Sequence, residues 1–100
     1  MAEVAEDERF RERIDDYLDY LIRTWEGIPA LAAEWNEWDD LSQSTFVHNW
    51  GVPADRMHQL RQWAGQKLMS PAQQARYREL LKLVAKNQPL LEAMLKDNAA

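Results

Sequence analysis

Two histidines, His48 and His58, and a cluster of carboxylates, Glu34, Glu37, Asp39 and Asp40, are the residues whose types could do chemistry in this chain. Imidazole and carboxylate together hold a metal or pass a proton when their spacing brings them to one point. Here the histidines fall on different predicted helices, and no His-Glu-x-x-His pattern joins them to an acid. The acids lack the Glu-x-x-His pairing of di-iron bundles and the Asp-x-Asp spacing and glycine of a calcium loop. There is no nucleophile elbow and no phosphate loop, and with no cysteine there is neither a disulfide framework nor a thiolate metal site. The expectation is a protein without catalytic residues, metal or cofactor, in which these acids are solvated charge.

Charge is unevenly spread. The formal net charge is −5, but residues 1–40 hold 13 acids against 4 arginines, and residues 41–100 hold 8 bases against 4 acids. An acidic whole works against tight non-specific nucleic-acid binding, which draws its affinity from phosphate contacts, while a basic second part leaves room for a local footprint. The first residues, MAEVAEDE, have no apolar run, and no stretch approaches the ~20 apolar residues that span a bilayer. The expectation is a cytoplasmic protein with no membrane contact. One hundred residues, 1–100, suit a single helical domain, with five Trp, three Tyr and two Phe supplying much of the core area.

The elements that must position any site follow from hydrophobic period. Phe10, Ile14, Tyr17, Leu18, Leu21, Ile22 and Trp25 share one stripe and predict a long amphipathic helix over about 7–26, with Arg11–Asp15 and Asp19–Arg23 pairs on its outer face. Gly27 and Pro29 predict its end and the start of a short helix over about 29–38. Ser70, Pro71 and Gln73 form a capping-box start to a helix over about 71–86, with Tyr77, Leu80, Leu81 and Val84 inward. Asn87 and Pro89 then predict a break, and a last helix over about 89–97 buries Leu90, Leu91, Met94 and Leu95. No strand-like alternation occurs. The fold class expected is all-α, a compact bundle of five to six helices.

At its centre lies LSQSTFVHNWGVPADRMHQLRQWA, residues 41–64. Ser42 is a candidate cap, with a staple between Leu41 and Phe46. Phe46, Val47 and Trp50 share a face, Gly51 suits a left-handed helix end, Pro53 suits a first helical turn, and Met57, Leu60 and Ala64 face back inward. The pattern predicts a helix-turn-helix-like pair over about 42–68. The run LSQSTFVHNWGV with Met57 and Leu60 resembles the helix-turn-helix of lambdoid phage Cro and repressor proteins, and GVPADRMHQLRQWAGQKL is similar to the promoter-reading helix of bacterial sigma factors. The resemblance covers about a quarter of the chain and implies that the helix after Pro53 enters the major groove of DNA.

Two functional readings follow. In the first, the chain is a small DNA-binding regulator. Gln59, Gln62 and His58 read base edges, Arg56 and Arg61 hold phosphates, and Ser42, Gln43 and Ser44 donate to the backbone from the preceding helix. A symmetric operator would require a homodimer, built through the long first helix or the last. In the second, the chain is an acidic protein-interaction module with no nucleic-acid role, engaging a basic protein partner through Trp35 and Trp38 with Glu34 and Glu37 around them. The two indoles fit a core role as well, since aromatic pairs at helical spacing are commonly buried.

Overall fold

The apolar stripe of the first helix does not stop where glycine and proline predict. Ile14, Leu18, Leu21, Trp25, Ile28 and Trp35 are all buried, with half-buried Ala32 filling the remaining step of an alternating four-three period. The computed structural model, which describes residues 2–99, shows why the phase survives. Helix α1 (Ala2–Glu26) runs into α2 (Ile28–Glu34) through Gly27, whose right-handed backbone (φ −79°, ψ −12°) keeps Gly27 N–H on the Arg23 carbonyl and Leu31 N–H on the Gly27 carbonyl, each at 3.1 Å. A 3-10 turn, Trp35–Glu37, closes this first arm.

Proline at 29 lacks the N–H that would reach the carbonyl four residues back, that of Trp25. A buried acceptor left so would destabilise the joint. Asn87 Nδ2, itself buried, donates to the Trp25 carbonyl at 2.9 Å and fills the vacancy. Thus Asn87, read from the sequence as a helix breaker, is the donor that Pro29 cannot be.

Asn87 can do this because the last helix does not break. Helix α5 runs from Pro71 to Ala99 in one piece with Pro89 inside it. Pro89 and Ala85, whose carbonyl it frees, are both exposed, so water can take that acceptor. Buried Asn87, Leu91 and Met94 hold the helix to the core on either side of the proline. The separate helices expected over 71–86 and 89–97 are therefore one. The capping box at its start is as read: Gln73 N–H donates to Ser70 Oγ at 3.2 Å and Ser70 N–H to Gln73 Oε1 at 3.0 Å.

The second arm returns as α3 (Asp40–Asn49) and α4 (Gly51–Gly65). Its start is capped by Asp39, which accepts from Ser42 N–H at 2.7 Å, and not by Ser42. That bond, with a further one to the Ser42 side chain, holds the Asp39 carboxyl below the ordinary carboxylate value. The expected staple is also absent, since Leu41 is 77% exposed. Only Trp50 lies between α3 and α4, with right-handed φ −63° and ψ −18°. No described glycine has positive φ, so Gly51 is not the left-handed corner its type suggested. That conformation occurs at Lys67 (φ 60°), past the end of α4. There Leu68 N–H donates to the Trp63 carbonyl and Lys67 N–H to the Ala64 carbonyl, each at 3.1 Å, the paired bonds of a Schellman end.

The all-α class is as expected, but the bundle has three helical arms (α1–α2, α3–α4 and α5) where five to six helices were predicted. Gln73 donates to the Arg11 carbonyl, Asn87 to that of Trp25, and Trp35 Nε1 to Asp97, each pair 62 positions apart. A constant offset means that the first and third arms run parallel and in step. The second runs back between them: Trp63 meets Phe10 and Tyr17, Trp50 meets Trp25, and Phe46 meets Trp35, with ring centroids 5.0–5.5 Å apart. The described part measures 53 × 23 × 19 Å. Among the described residues no helix is long and apolar enough to cross a membrane.

Candidate functional site

The three sides of this bundle are not equally closed. Helix α1 packs along both α4 and α5, while α4 and α5 make little direct contact with each other. Between them lies a groove of about 510 Å³. Its floor is Trp25 and Trp50; Met57 stands on the α4 wall, and Leu81, Val84 and Leu95 on the α5 wall. Leu81, expected inward from its place in the stripe, is 39% exposed at the groove edge. Leu90, also expected inward, is equally exposed on another face. A helical stripe identifies apolar side chains but not whether another element covers them.

The groove has charged walls. His58 and Arg61 rise from α4, and Gln88 and Glu92 from α5, with Gln88 Nε2 donating to Glu92 Oε1 at 3.0 Å. Arg61 has no carboxylate partner among the described residues. Outside the lining, exposed Arg78 lies one turn before Leu81 on α5, and exposed Lys82, next to Leu81 in sequence, meets Glu79 at 3.2 Å. Because α4 runs antiparallel to α5, Arg61 faces the part of α5 that carries Arg78 and Lys82. Glu92 lies toward the other end, near Trp50. Of the residues that line the groove, Arg61 is the one arginine or lysine and Glu92 the one carboxylate, and they stand toward opposite ends.

Residues expected to read DNA are distributed differently. His58, Arg61 and Gln62 are exposed and Gln59 is half-buried. His58 and Gln62 approach at 3.3 Å between their Nε2 atoms, and Gln59 Nε2 donates weakly to Gln62 Oε1 at 3.5 Å. Arg56 does not flank them. It turns onto α1, with its guanidinium carbon 4.3 Å from the Tyr20 ring centre and 5.3 Å from that of Tyr17, a cation–π contact that orders it away from the outward face. Gln43 is also engaged, donating to the Trp35 carbonyl at 2.7 Å. Ser42 and Ser44 are exposed on α3.

Comparison with protein-family models, with curated proteins and with solved structures returned no match.

Of the expected partner patch, Trp35 is buried, 4% exposed, with its indole N–H on Asp97 at 3.2 Å. Trp38 is half-buried against Trp35 and Phe46, and Glu34 and Glu37 are exposed beside it. The pair does not form an exposed aromatic anchor. His48 is exposed on α3 and does not line the groove with His58. No group of three metal-ligating side chains gathers among the described residues. The pairs Arg11–Asp15 and Asp19–Arg23 give way to Arg76 of α5, which meets both Asp15 and Asp19. The groove itself was missed from the sequence because its walls come from distant helices. Its one local signal was an apolar stripe on 77–84 wider than a single neighbouring helix can cover.

Proposed function

We propose that this chain is a non-enzymatic protein-binding module that receives an α-helix of another protein in the groove between α4 and α5. The observation that supports this most is the open side of the bundle: apolar Met57, Leu81 and Val84 face one another across a channel floored by two indoles. A helix laid there would complete a four-helix arrangement, inserting anchors spaced i, i+4 and i+7. The volume falls within the ~300–1,000 Å³ common to ligand sites.

A DNA-reading role for α4 would use His58, Gln59, Arg61 and Gln62. It has less support here, because Arg56 is stacked on tyrosines and the acidic first arm packs along α4, within about one Debye length (~8–10 Å) of any phosphate docked there. The test is titration with a helical peptide carrying leucines at i, i+4 and i+7 and uncharged flanks, read by the emission of Trp25 and Trp50. Binding should weaken about ten-fold in Leu81→Gln, a variant expected to keep its thermal midpoint. If helices with neutral, acidic and basic flanks all leave the emission unchanged, the groove is not a binding site.

A further inference from the structure

The charges around the groove narrow what it receives. We infer that the partner helix is acidic beside its apolar face, with its carboxylates at the end that meets Arg61 and Arg78. This rests on the proposed function above. Three observations carry it together.

First, Arg61 lines the channel on α4, and on α5 exposed Arg78, itself outside the lining, stands one turn before the lining residue Leu81 at about the same level. Second, among the described residues Arg61 has no carboxylate of its own to neutralise it, in contrast with Arg76, which the first arm engages through Asp15 and Asp19. Third, the one acid of the groove lining, Glu92, stands toward the opposite end and is held by Gln88. A helix with a basic flank would meet like charge at the Arg61 end. An acidic one finds complementary partners at one end and, with a single base at the other, reaches Glu92 as well. Such placement fixes direction and register more than it adds affinity.

The probes are two synthetic helical peptides with the same leucine anchors, one with glutamates at the flanking positions and one with lysines, titrated into the full chain at low and at physiological salt. The glutamate peptide should bind about five-fold more tightly at low salt, and the gap should narrow as salt screens exposed charges. Replacing Arg61 and Arg78 by glutamate should invert the preference between the two charged peptides. If the two charged peptides bind equally, or lysine is preferred, the inference on charge fails although the groove reading stands. If no peptide binds, the groove reading itself fails. Mixed-sequence duplex DNA that displaces the glutamate peptide, with log affinity falling linearly against log salt, would overturn the inference in favour of a nucleic-acid surface.

Discussion

Apolar side chains line both the seam between α1 and α5 and the seam between α4 and α5, yet one is closed and the other open. Along the closed seam, Gln73, Asn87 and Asp97 tie the third arm to the first at a constant offset of 62 residues, and Arg76 adds ion pairs with Asp15 and Asp19. Along the open seam nothing comparable bridges the walls among the described residues; Arg61 and Glu92 are exposed to solvent and form no pair. Hydrophobic matching alone therefore does not decide which faces meet. Polar ties with an exact length requirement select the α1–α5 register, and the apolar surface left over on α4 and α5 is available for something else.

Two adjacent leucines give the largest test of this contrast. Leu80 is fully buried and Leu81 39% exposed, although both belong to the same stripe. Leu80→Ala should destabilise by about 3 kcal/mol, within the usual range for a core leucine, and Leu81→Ala by less than about 1 kcal/mol. Denaturant unfolding of the two variants measures the difference. Similar losses at both positions would mean that the open seam is closed in solution.

Next in size is the repair of the first joint. Asn87→Ala should lose about 1–3 kcal/mol, because it leaves the Trp25 carbonyl buried without a donor. In a Pro29→Ala background the restored N–H can serve that carbonyl, so the same substitution should be milder by about 1 kcal/mol. A double-mutant cycle with no coupling would show that Asn87 is valuable for packing alone.

These joints also explain what the sequence made legible. The capping box of Ser70 and Gln73 could be read in advance because all its atoms lie within four residues. So could the stripe of α1, whose period survives any local detail. Gly27 and Pro29 do separate α1 from α2, as read, but the stripe keeps its phase across them, whereas Asn87 and Pro89 misled because a helix can continue through a proline when the carbonyl it frees finds another donor. At Pro29 the donor lies 62 positions from Trp25, and at Pro89 the freed carbonyl belongs to exposed Ala85, where water can reach it. Likewise Leu81 and Leu90 carry the signal of a core residue, but cover is a property of the neighbouring arm. His58 and Arg61 stood out in the sequence as outward residues of α4, there read as DNA contacts, whereas Glu92 and Leu95 had no local sign that they line a groove with α4.

The two ends of α4, which forms one wall of the open seam, give the smallest test and the one most directly opposed to residue type. Glycine stands at 51, where the backbone is right-handed and an added Cβ would meet nothing within 4 Å. Lysine stands at 67, where φ is 60° and a side chain is strained. Lys67→Gly should therefore stabilise the chain by about 1 kcal/mol, by relieving the left-handed residue of the Schellman end. Gly51→Ala should stabilise it by about 0.5 kcal/mol, chiefly by restricting the unfolded chain. Had Gly51 been the left-handed residue of a helix-turn-helix corner, alanine there would instead destabilise by about 1 kcal/mol or more. The sign of the Gly51→Ala effect in a thermal or denaturant melt thus separates a short right-handed joint, which lets α3 and α4 act as one arm beside the groove, from the sharp turn that DNA-reading corners use.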